Sequence, residues 1–136
     1  MPQLVSIVTA LLLIGCQTDS KLFDEVNEMA EFEGAYNPTI IKSGKEDGFL
    51  EPMMEYSLFS IDSLAFRNLE NSIATSERFK EGSYYLNIEL DDFLRQNNLD
   101  IVNMPKSLIT ENQYDKTYHV YLLSDRKSFA ICKVNR

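Results

Sequence analysis

Three groups of side chains in this sequence belong to types that do chemistry. His119 is the single histidine, Cys132 is one of two cysteines, and adjacent carboxylates occur at Glu46-Asp47 and Asp91-Asp92. A histidine can act as a general base or complete a Ser-His-Asp device, a cysteine beside a base can attack a carbonyl, and paired carboxylates can flank a glycosidic bond. Spacing has to carry such a claim, because these residue types recur in almost any chain. The sequence holds no nucleophile elbow, no HExxH pair, no CxxC pair, no phosphate-binding loop and no dinucleotide glycine pattern.

Each group also has a plainer role. His119 shares a strand face with Tyr121 and Leu123, the setting of a structural histidine. Cys132 alternates with Ala130 and Val134 in "KSFAICKV", which predicts a small core residue with no base nearby in sequence. Asp91 suits a helix cap with Asp92 in the first turn, and Glu46-Asp47 suits a solvated loop. No catalytic residue, metal or cofactor is therefore assigned, and the protein is expected not to be an enzyme. A small envelope hydrolase working through carboxylates or His119 is the alternative.

Tyrosines offer a binding argument instead. Tyr84 and Tyr85 in one β-like run, and Tyr118 and Tyr121 in another, could set phenols on one exposed sheet face, where rigid amphipathic rings favour partner contact. Tyr85, Tyr118 and Tyr121 are the candidate interface.

The amino-terminal stretch "LVSIVTALLLIGCQTDS" has a different character. Its apolar run from Leu4 to Ile14 is shorter than the roughly 20 residues a helix needs to cross a bilayer. With no polar face it does not fit an amphipathic core element either, and length and position point to a cleavable secretory leader. Leu13-Ile14-Gly15-Cys16 resembles the lipobox of bacterial lipoproteins, with an aliphatic residue three before the cysteine and a glycine directly before it. The resemblance covers the leader alone. It implies cleavage between Gly15 and Cys16, a thioether-linked diacylglycerol on Cys16 and acylation, as by palmitate, of the new amino terminus. Two or three chains anchor stably where one is marginal, since each buried methylene contributes about 0.8 kcal/mol. No basic residue precedes Lys21, a departure from the usual leader that the α-amino group of Met1 or an upstream start would make good. Gln17 rather than Asp after the cysteine leans, by resemblance to Gram-negative sorting, toward the periplasmic face of the outer membrane over the inner membrane.

This assignment organises the chain as residues 1–15 (cleaved leader), 16–20 (short tether) and 21–136 (one domain). It also removes Cys16 from disulfide pairing. Every charged residue lies after the leader, so the mature protein keeps the formal net charge of −8. Nucleic acid is a poor partner for such a surface, because phosphates reward clusters of Lys and Arg. The expected function is a lipid-anchored binding, inhibitor, immunity or assembly module, held to a membrane through Cys16 and meeting an envelope or incoming protein that carries a basic surface.

Those side chains must be positioned by an ordinary globular fold, as 44% hydrophobic and 25% charged residues indicate. Leu22, Phe23, Val26, Met29 and Ala30 recur at helical spacing from Ser20 to Glu33, with Gly34 beyond the end. The outer face of that helix carries Asp24, Glu28 and Glu31, a solvated acidic stripe turned from an anionic membrane. "TIIK" predicts a short strand, "SGKEDG" a turn, and residues 53–59 a strand. Asp62 or Ser60 caps a helix running to about Thr75, with Ala65, Phe66, Leu69 and Ile73 inward. "YYLNIEL" alternates as a strand, Asp91 then caps a short helix, and a long connection follows in which "SLIT" has no clear place. "TYHVYLLSDRKSFAICKV" predicts a hairpin turning at residues 124–127. The sum is an α+β fold, a small antiparallel sheet including a C-terminal hairpin with two or three helices packed on one face.

Overall fold

A computed structural model describes residues 21–32, 34, 36–46, 53–81, 86–102, 106–110 and 113–135. In chain order the elements are α1 (Lys21–Ala30), β1 (Thr39–Glu46), β2 (Met54–Ser60), α2 (Ser63–Thr75), β3 (Phe79–Glu81), α3 (Ile88–Gln96), β4 (Lys106–Thr110), β5 (Gln113–Leu122) and β6 (Ser128–Asn135). The strands form one antiparallel sheet in the order β1-β2-β6-β5-β4-β3, so the long C-terminal hairpin β5–β6 lies at its centre. This is the expected α+β class. Among the described residues no helix is long and apolar enough to cross a membrane.

Alternation along the central strands gives the sheet two buried faces. On one face, Phe129 and Ile131 of β6, Val120 and Leu122 of β5 and Phe59 of β2 meet Leu22, Phe23, Val26 and Ala30 of α1 and Ala65, Phe66, Leu69 and Ile73 of α2. Phe59 and Phe129 stack with centroids 5.0 Å apart, and Phe23 meets both edgewise or tilted at 6.0 and 5.8 Å. Such aromatic pairs add to plain area burial. The opposite face packs Met54, Tyr56 and Leu58 with Ala130 and Cys132 under Leu90 and Leu94 of α3. Two helices thus pack on one face, as expected, and the third covers the other.

The predicted helix between residues 62 and 75 forms as read: Asp62 Oδ1 accepts from the Ala65 N–H at 2.8 Å, and the four expected side chains are buried. α1 stops earlier than the glycine suggested. Glu31 itself adopts the left-handed conformation (φ 54°) and its N–H closes on the Asn27 carbonyl, so Gly34 (φ 102°) lies farther out in the connection.

Three expectations need correction. "SGKE" does not turn; it completes β1, pairing Ser43, Gly44, Lys45 and Glu46 with β2, and the expected short strand is eight residues long. "SLIT" lies in β4, and "RFKE" contributes the three-residue β3. The largest correction is at "LNIEL". Asn87 caps α3 by accepting from the N–H groups of Glu89 and Leu90, leaving Ile88 outside and burying Leu90 and Leu94 one turn apart. Asp91 is therefore a first-turn residue and not the cap. Alternation over so short a window also fits an i, i+4 helical stripe, and the cap decided between them. The far end closes as a Schellman motif, with Leu99 N–H on the Leu94 carbonyl, Asn98 N–H on the Arg95 carbonyl and Asn98 at φ 54°.

Candidate functional site

The register of the sheet brings together residues that are remote in sequence. Ser107 of β4 lies opposite His119, His119 opposite Cys132, Cys132 opposite Tyr56, and Tyr56 opposite Gly44. Ser107 Oγ and His119 Nδ1 are hydrogen-bonded at 2.8 Å, and the two residues are 4% and 8% exposed. His119 also stacks along Tyr121, with ring centroids 6.4 Å apart. A base therefore does stand beside Cys132, across the hairpin. A turn at residues 124–127 sets Leu123 against Ser128 and, four steps back on each arm, His119 against Cys132, so the predicted turn already contained this neighbour.

Proximity does not activate the thiol. Cys132 is fully buried, and that burial pushes its pKa up to about 12, with the Asn87 backbone N–H on the sulfur pulling weakly the other way. A thiol held protonated at neutral pH has little nucleophilic character. One member of each acidic pair is also committed. Glu46 Oε1 accepts from Asn87 Nδ2 at 2.6 Å, Asp91 pairs with Arg95 at 3.1 Å, and Asp47 lies outside the described residues. Among the described residues no group of three or more His, Cys, Asp or Glu is placed to hold a metal.

The candidate tyrosine interface is distributed differently from the expectation. Tyr118 is 4% exposed and faces α1, whereas Tyr121 is fully buried on the opposite face under α3. Odd and even positions of one strand cannot share a face, and both faces are covered by helices. Tyr84, Tyr85, Gly15 and Cys16 lie outside the described residues.

Two polar clusters that sequence spacing did not reveal pin the helices to the sheet. Beneath α1, the ammonium of Lys133, only 8% exposed, lies 3.2 Å from Glu25 and 3.8 Å from Glu55, 5.7 Å over the ring of Tyr118. The Tyr118 hydroxyl donates to Glu25 at 2.6 Å, and burial followed by this bond to a carboxylate holds its own proton well above the usual range. Beneath α3, Glu89 Oε1 accepts from Tyr56 at 2.8 Å and pairs with Lys42 at 3.0 Å, and these partners hold the Glu89 carboxyl below its ordinary pKa. Lys42 also sits 5.7 Å from the Phe93 ring centroid. Each cluster joins a helix to a strand, and each carboxylate has a donor.

One depression opens beside the first of these clusters. Lys21 and Leu22 at the start of α1 meet Ser43, Lys45, Glu55 and Ser57 of β1 and β2 around a space of about 140 Å³. That is below the roughly 300–1,000 Å³ of small-molecule sites. Its exposed donors are the Lys21 and Lys45 ammonium groups and the Ser43 hydroxyl, a set suited to anionic oxygens at a surface, while Ser57 beneath them is buried. Comparison with protein-family models, with curated proteins and with solved structures finds no match for this chain.

Proposed function

We propose that the protein is a lipoprotein of the cell envelope, anchored through lipid on Cys16, that works by binding another protein as an inhibitor, immunity or assembly module. The observation that carries this reading is the lipobox-like Leu13-Ile14-Gly15-Cys16 set only five residues before Lys21, where α1 is already packed on the sheet. A folded domain on so short a tether suits blocking or scaffolding at a membrane surface. The reading is further supported by how the chemistry-bearing groups are used: His119 and Ser107 are buried together, and Cys132 is a protonated core thiol. By resemblance, Gln17 favours the periplasmic face of the outer membrane.

The test is expression of the full chain with labelled fatty acid, alongside Cys16→Ser. Label and membrane fraction are expected in the first and lost in the second; equal label in both removes the anchor. For the binding role, crosslinking in intact cells is expected to give a defined complex that persists in His119→Ala. Hydrolysis of an envelope substrate that disappears in His119→Ala would instead establish the enzyme.

A further inference from the structure

We propose that the end of the domain formed by Lys21, Ser43, Lys45 and Ser57 faces the membrane and seats against the phosphate groups of lipid headgroups. This rests on the anchoring of Cys16 proposed above. It adds which surface meets the bilayer and which surfaces are left for a partner.

Reach is the first argument. Five residues, fully extended, span at most about 17 Å, whereas a domain of this size is roughly 35 Å across. Lys21 therefore stays within half a domain width of the lipid. Lys21 lines the depression together with Ser43, Lys45 and Ser57, so the tether delivers that depression to the headgroup layer. The turn at residues 124–127 is carried at the other end of the sheet, where Ser60 pairs with Ser128.

Charge then selects the orientation. The protein as a whole is acidic, with a formal net charge of −8. Around the depression the balance reverses. Glu55, the carboxylate among its lining residues, lies 3.8 Å from the buried Lys133, and Glu25 of α1 lies 3.2 Å from Lys133 and 3.8 Å from Lys21. Among the residues that line it, the ammonium groups of Lys21 and Lys45 thus stand against the single carboxylate of Glu55, and the Lys21 side chain is 73% exposed. Charges act across a Debye length of only about 8–10 Å in physiological salt, so the patch at the lipid counts and the remote acidic surface does not. Turning the exposed Asp24 and Glu28 of α1 toward phosphates would be repulsive; turning Lys21 and Lys45 inward gives charge-assisted N–H···O bonds, with the exposed Ser43 hydroxyl as a further donor.

The experiment uses the full, lipidated chain in vesicles of phosphatidylethanolamine and phosphatidylglycerol. A fluorophore is placed on Ser43→Cys or on Lys127→Cys; Cys132 is buried and does not compete for label. Quenching by headgroup-labelled lipid is expected to be several-fold stronger at position 43 than at 127. Lys21→Glu with Lys45→Glu is expected to shrink that difference to what the short tether alone imposes while vesicle retention and the circular dichroism spectrum stay unchanged, and the pair of Gln variants should fall between. Equal or reversed quenching in retained wild-type protein overturns the proposal, as does a difference that the double reversal leaves undiminished. Failure of the anchor is separately visible, because Cys16→Ser would then be retained as well as wild type.

Discussion

Tyr56 lies so close against Gly44 that a Cβ at position 44 would stand 2.7 Å from the ring carbon Cε1 and 2.9 Å from the hydroxyl oxygen. The ring has no slack, since it is 1% exposed and its hydroxyl is tied to Glu89. Gly44 is thus required by a close approach across the β1–β2 pair and not by a turn. Gly44→Ala is expected to lower stability by about 1–3 kcal/mol, the usual cost of forcing a packed core. Urea unfolding measures it, and a loss of only a few tenths would show that the ring can yield.

Lys133 and Glu25 define a second test. Removing one partner of a largely buried pair leaves a charge without compensation, whereas replacing both with apolar groups of similar volume is often neutral. Glu25→Ala also strips the Tyr118 hydroxyl of its acceptor, and a loss of about 2–3 kcal/mol is expected. Lys133→Met combined with Glu25→Leu should recover the part that comes from the stranded ammonium, though not the Tyr118 bond, with a coupling energy of about 1–3 kcal/mol in a double-mutant cycle built on Lys133→Met and Glu25→Leu. Strict additivity would mean that the two side chains do not act together.

The α3 cap is separable by chemistry. Asn87→Ala is expected to cost about 1–2 kcal/mol, because it removes the acceptor for the first-turn N–H groups. Asn87→Asp keeps that acceptor but sets a second carboxylate against Glu46, which now accepts from the amide. Its deficit should therefore be larger in the wild-type background than in Glu46→Gln, where no second carboxylate faces position 87. Thermal unfolding of the four proteins reads the difference, and an equal deficit in both backgrounds would contradict the Glu46 contact.

Cys132 is expected to resist a soluble disulfide reagent at pH 8 in the native protein and to react once denaturant is added. Rapid native reaction would mean that the strand opens or that the thiol is activated by His119.

Alkali should destabilise the fold. The protons of Cys132, Tyr56 and Tyr118 are all held above their ordinary values, chiefly by burial. Groups whose folded pKa is raised contribute stability that is complete below the unfolded pKa and lost as pH rises through the folded one, because the unfolded chain releases its protons first. Stability is thus expected to be level to about pH 8 and to fall beyond it, most steeply above about pH 10 where unfolded tyrosines ionise. Denaturant midpoints across this range test it. Tyr118→Phe should flatten the slope, and an unchanged slope would place the titration elsewhere.

How much of this could be read beforehand follows from the range of each interaction. α2 was legible because its signals are local: the Asp62 carboxylate and the N–H it accepts are three residues apart, and its apolar stripe runs over three turns. The C-terminal hairpin was legible for the same reason, its turn closed by Asp125 bonds to Lys127 and Ser128. α3 was misread because the side chains at 86 and 90 satisfy both periods, and only the Asn87 cap, the exposure of Ile88 and the apolar surface waiting above Cys132 choose the helix. The continuation of β1 was hidden by Gly44, whose partner Tyr56 is across the strand pair.

Sequence alone determined the acidic balance and the α+β class from the chain as a whole, and the lipobox resemblance, the inward stripe of α2 and the C-terminal hairpin from residues within a few positions of one another. Tertiary structure decided which tyrosines are buried, that Lys133 is enclosed by carboxylates from α1 and β2, and which surface adjoins the start of α1. Those are contacts between segments tens of residues apart, set by strand order and register, and no local pattern specifies the register of a partner strand that has not yet been placed.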